Sequence, residues 1–140
     1  MTAVRAKLDV ATCETVIAGA MRAWINRDSV DFASHFTDDA DMVNIHGMHL
    51  RGRQAIAGFY EMLVRSVLAG CRLSFEGSTR RQLRADMVMV HLRVAVRHCR
   101  GYLTGEHHTV SSVVLARGAR GWAIASLHNT LVGSAYGAGG

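Results

Sequence analysis

Residues 36–60 read FTDDADMVNIHGMHLRGRQAIAGFY, and the change of rhythm inside this stretch decides the fold. From Asp41 to His46 apolar and polar residues alternate. In an extended chain this sends Met42, Asn44 and His46 to one face and Asp41, Val43 and Ile45 to the other. A strand is expected from about Ala40 to His46, turned by Gly47 into a short second extended piece near Met48 to Leu50. Asp38 and Asp39 fall in the preceding turn, where Asp is a favoured residue. After Gly52 the period lengthens: Ile56, Phe59, Tyr60, Leu63, Val67 and Leu68 recur three or four apart, the stripe of a helix over 53–70 closed by Gly70.

Upstream, Val10, Cys13, Ile17, Met21, Trp24 and Ile25 repeat at the same spacing and predict a helix from about Asp9 to Arg27. DSVDFASHF (28–36) fits a shorter one capped by Asp28 or Ser29. Downstream of Gly70 the period is two. RLSFEGSTR (72–80), ADMVMVHLRVAVRHC (85–99), GYLTGEHHTVSSVVLAR (101–117) and GWAIASLHNTLV (121–132) read as long strands, with turn signals between them at 84–86, 100–101 and 118–121. Such short links make antiparallel hairpins. In the second long strand Val88, Val90, Leu92, Val94 and Val96 share a core face; Met87, Met89, His91, Arg93 and Arg97 share the outer one.

Helices followed by an antiparallel meander give an α+β domain whose sheet buries one face on the helices. A strongly twisted sheet around three helices leaves a conical hollow at one end, where a small ligand fits. With 140 residues and 49% hydrophobic content the chain forms one domain, its ordered core expected over about 9–132 and its Gly-rich tail 133–140 loose. No apolar run approaches the roughly 18 residues of a membrane span, and the N-terminus lacks the apolar core of a signal peptide; the chain is expected to be cytoplasmic and off the membrane. Cys13, Cys71 and Cys99 are odd in number and irregularly spaced, so free buried thiols are expected. The net charge is +5, but Lys7 is the only Lys among 16 basic residues and the Arg are scattered with no nucleic-acid-binding motif, so no nucleic-acid partner is expected. None of the eight His has the spacing of a metal site, and adjacent His107 and His108 point to opposite faces; no metal and no cofactor is expected.

The segments FTDDADMVNIHG, LRGRQAIAGFY and GWAIASLHNT together resemble the nuclear-transport-factor-2-like superfamily of SnoaL-like cone folds, and the HNT at 128–130 is most similar to its SgcJ/EcaC type. The resemblance covers about residues 10–132. It implies a cone-shaped barrel in which a curved, mainly antiparallel sheet wraps three N-terminal helices (cystatin-like), frequent homodimers through the sheet, and enzymes or binders of hydrophobic small molecules, polyketide-pathway proteins among them. In the ketosteroid-isomerase branch the general base is an Asp where this chain has Asn44, and an oxyanion-hole Asp falls near Val113, so neither acid is present.

Strict alternation from Trp122 puts Ile124, Ser126, His128 and Thr130 on the inner face of the last strand. His128 is then the expected proton carrier and Asn44 the orienter of a ligand carbonyl, with His46, Trp24, Tyr60, His107 and Thr130 lining the ligand site. The expected function is binding of a hydrophobic, carbonyl-bearing molecule, with cofactor-free acid/base chemistry of isomerase, cyclase or dehydratase type in secondary metabolism. The alternative is a non-catalytic ligand-binding or dimeric protein-interaction module.

Overall fold

The computed structural model describes residues 2–100 and 104–133, with side chains from Cys13 onward. The tail expected to be loose lies outside the described residues from 134 on, as does the turn residue Gly101. Three helices come first: α1 (Thr2–Ile25), α2 (Ser29–Ser34) and, after two strands, α3 (Arg53–Arg65). The strands are β1 (Phe36–Val43), β2 (His49–Arg51), β3 (Arg72–Arg84), β4 (Met87–Cys99), β5 (Gly105–Gly118) and β6 (Gly121–Leu131). They form one six-stranded sheet in the order β2-β1-β6-β5-β4-β3, antiparallel except for the β1–β6 pair. The sheet curves over the helices and stays open, with β2 and β3 as its two edges, so the expected barrel is a partial one.

The helix starts follow local chemistry. Asp28 caps α2, its side chain accepting from the Asp31 amide at 3.0 Å. Gly52 begins α3 at φ +91°, a left-handed conformation that glycine tolerates without cost, and from there its amide reaches the Ala40 carbonyl at 2.7 Å. Arg53 then ties the helix to the first strand: its Nη2 and Nε donate to the Phe36 carbonyl at 2.7 and 3.2 Å while Nη1 meets Asp38 at 2.7 Å. Phe36 is fully buried. We expect Arg53→Met to cost about 1–3 kcal/mol in a urea titration, because the carbonyl loses its partner in a place water reaches poorly. An unchanged midpoint would show that the carbonyl is served in some other way.

β1 begins at Phe36, four residues before the expected start, so Asp38 and Asp39 lie within the strand and not in a turn. α3 stops at Arg65, and a tight turn carries the chain to Cys71. Cys71 and Cys99 are joined by a disulfide with Cα atoms 4.5 Å apart, which corrects the expectation of three free thiols. The β3–β4 register pairs Arg72 with Arg97, and this brings the two cysteines together from 28 residues apart. Cys13 stays free, and burial pushes its thiol pKa up.

The core is as the strand pattern predicts on β4, where Val88, Val90, Leu92, Val94 and Val96 are all buried. Phe36, Ile56, Leu115 and Ile124 fill the space between the sheet and the helices. Phe32 packs between Phe36 and Tyr60 with its ring tilted against both, ring centroids 5.2 and 4.8 Å away.

Candidate functional site

Sheet and helices together enclose a cavity of about 430 Å³ at the end of the cone where β4 and β6 finish and β5 begins. The helices contribute Met21, Trp24, Phe32, Phe59, Tyr60, Met62 and Leu63, and the sheet Met42, Leu92, Val94, Val96 and Leu127. Its polar lining consists of Asn44, His46, His107, Thr109, Ser111 and Asn129, with no Asp, Glu, Lys or Arg among the lining residues. A cavity of this size and character suits a small, largely apolar molecule.

Asn44 sits one residue past the end of β1 and is 8% exposed. Its Oδ1 accepts from the amides of His46 and Met48, both at 2.9 Å, while Gly47 in the same turn has φ +81°. The carboxamide therefore builds the β1–β2 turn with its oxygen, and what it retains for the cavity is the Nδ2 donor. His46 stands exposed at the rim of the same cavity. His107 is half-buried, and its Nε2 lies 3.1 Å from the Thr104 carbonyl. A carbonyl only accepts, so Nε2 carries a proton there.

Trp24 and Tyr60 line the cavity as expected. The Tyr60 hydroxyl is not free chemistry: it donates to the Trp24 carbonyl and fixes α3 against α1. Burial pushes its pKa up, with the Arg27 charge only partly opposing, so the phenol stays a neutral donor.

His128 and Thr130 do not reach the cavity. Both are exposed on the outer face of the sheet, His128 opposite Ser112 on β5 and Val43 on β1. The cause is a β-bulge: Val114 pairs with Ser126 and Leu115 with Ile124, which leaves Ala125 as an extra residue on β6. Trp122 and Ile124 face inward before the bulge; after it the inward set is Leu127, Asn129 and Leu131. The expected grouping of Asn44, His46 and His128 is thereby corrected. Asn129 takes the place assigned to His128.

Asn129 is thus the site residue that strict alternation misses. A signal for it exists in the sequence: Leu127 and Leu131 are out of phase with Trp122 and Ile124, which marks an extra residue between the two sets. Asn129 accepts from the Ser111 hydroxyl across the β5–β6 pair at 2.9 Å. Thr109, two residues before Ser111, is buried, and its Oγ1 has no hydrogen-bond partner among the described residues. No group of three His, Cys, Asp or Glu suited to a metal occurs among the described residues. No helix there is long and apolar enough to cross a membrane.

An open, curved sheet wrapped on three helices, with an apolar cavity at its wide end, defines a cystatin-like cone fold. The SnoaL-like domain family matches residues 13–132, and the chain belongs to that family. No curated protein matches it. Among solved structures, a domain of unknown function with a cystatin-like fold from Nostoc punctiforme PCC 73102 superposes with a TM-score of 0.81 at 24% identity, over 94% of this chain and 82% of that one. A ketosteroid isomerase-like protein from Erwinia carotovora atroseptica SCRI1043 gives 0.69 at 18%, over 88% and 95%. A type 2 hexachlorocyclohexane dehydrochlorinase gives 0.75 at 14%, over 89% and 88%. At these identities the likeness establishes the fold alone.

Proposed function

We propose that the protein binds an uncharged, hydrophobic, carbonyl-bearing small molecule in the cone cavity. The observation that carries this reading is the lining: an apolar wall of Trp, Phe, Met, Leu and Val side chains broken by a few polar groups and by no Asp, Glu, Lys or Arg. A charged ligand would lose its hydration there with no counter-ion to offset the loss. Structural neighbours named as a ketosteroid isomerase-like protein and a hexachlorocyclohexane dehydrochlorinase fit a small-molecule role. The HNT segment favours the narrower SgcJ/EcaC type, and with it a place in cytoplasmic polyketide metabolism. Any proton transfer falls to His46 and His107, because Tyr60 is held neutral and the other polar lining groups do not titrate. The reading is tested by following the emission of cavity-lining Trp24 while 2-acetonaphthalene is added. Saturable quenching that disappears when Met42→Trp fills the cavity is expected; quenching that is linear and indifferent to this substitution would reject it.

A second copy of the chain docking on the outer sheet face fits the same reading. Met89 and Val114 are half-buried cross-strand neighbours there, with the Met87–Ala116 pair beside them, and together they form an apolar patch that a monomer leaves partly in water. Met89→Asp is expected to halve the mass seen in sedimentation equilibrium. A wild-type protein that sediments as a monomer at high concentration would refute the docking.

A further inference from the structure

From the arrangement of the polar groups we infer that Asn44 and Asn129 form one neutral, two-donor seat for the carbonyl oxygen of the ligand, and that Asn129 is the specificity-determining residue of the site. The inference rests on the binding reading above and deepens it. Val43 pairs with His128 in the parallel β1–β6 ladder. The ladder ends there, and Asn44, just past β1, and Asn129, on β6, are the next residues of the two segments. Both line the cavity. The Asn44 oxygen is taken by the His46 and Met48 amides and the Asn129 oxygen by the Ser111 hydroxyl. Each carboxamide thus has its oxygen committed and its NH₂ left over. Two adjacent NH₂ groups in an apolar wall answer to an oxygen acceptor.

Chemistry then separates three tricyclic shapes of nearly the same size. Fluorenone offers a carbonyl oxygen to both amides. Fluorene offers nothing, and in a purely apolar cavity it would bind more tightly because no oxygen has to leave water. Fluorene-9-carboxylate offers acceptors, but it carries a charge into a lining that holds no Lys or Arg. Ser111 is a positioning residue in this arrangement: its hydroxyl donates to the Asn129 oxygen and holds the carboxamide in place.

The test is a set of Trp24 quenching titrations with these three probes at pH 8 on the wild-type chain. Fluorenone is expected to bind about tenfold more tightly than fluorene, the worth of a well-made hydrogen bond in such a site, and the carboxylate more weakly than either. In Asn129→Leu, with its melting temperature checked, fluorene is expected to bind at least as tightly as fluorenone. Equal or reversed affinities for ketone and hydrocarbon in the wild type overturn the seat while leaving the cavity reading standing. A carboxylate that binds as well as the ketone overturns its neutrality. Binding of none of the three overturns the cavity reading and the seat together. Should Asn129→Leu fail to fold, the smaller change Asn129→Ser serves in its place: an undiminished preference for the ketone in that variant overturns the role of Asn129.

Discussion

Replacing Trp122 by Ala is expected to lower the unfolding free energy by about 3–5 kcal/mol, the range for truncating a large buried aromatic. Trp122 is 7% exposed, opens β6 next to the hairpin turn, and faces inward with Ile124. The Arg117 guanidinium lies over its ring, 6.0 Å from the centroid. Truncation removes the buried ring and leaves a hole on the inner face of a hairpin whose pairing holds its backbone in place, so collapse fills only part of it. The indole Nε1 is buried without a partner among the described residues. Trp122→Phe should consequently cost much less than Trp122→Ala, because it gives up a donor that makes no hydrogen bond in the fold. Urea unfolding of the two variants checks both statements. An Ala variant as stable as the wild type would mean that Trp122 contributes no buried area, and the inward face assigned to β6 would fall with it.

How much the chain discloses about itself varies along its length, and the reasons are physical. β4 is the most legible element because Val88 to Val96 alternate without interruption between core and outer face, and nothing in the fold disturbs that period. Asn44 was legible for the same reason: Met42 and Asn44 keep one face of β1, and both meet the cavity. The start of β1 was not. Thr37, Asp38 and Asp39 carry turn chemistry locally, yet they are held extended by long-range contacts, the pairing of Phe36 with Ile124 and the grip of Arg53 on Phe36 and Asp38. The cysteine pair was hidden too, since its geometry depends on a hairpin register and on no spacing a reader of the sequence can count. The β6 error is of another kind. The period of two holds on each side of Ala125, but one extra residue reverses the parity, so strict alternation selects His128 where the fold presents Asn129.

That parity can be tested by a prediction whose sign depends on it. Exchanging two neighbours, Leu127→His together with His128→Leu, keeps composition and charge constant and alters only which side chain faces the cavity. In the structure Leu127 is 5% exposed among Met42 and the other apolar lining residues, and His128 lies in solvent on the outer face. The exchange moves a leucine out of the core, which forfeits about 1.5–3 kcal/mol of burial. It also places an imidazole where its ring nitrogens meet chiefly apolar neighbours, which adds about 1–3 kcal/mol for the unpaired polar group. A combined loss of about 2.5–6 kcal/mol is expected in urea unfolding. Uninterrupted alternation from Trp122 would have His128 already inside and Leu127 already outside, and the same exchange would then stabilise the protein. His128→Leu alone adds the functional half: because His128 is outside the cavity, affinity for 2-acetonaphthalene should stay within about twofold of the wild type, a margin smaller than one hydrogen bond. Stabilisation by the exchange, or a large loss of affinity in His128→Leu, would place the bulge elsewhere in β6 and return His128 to the site in place of Asn129.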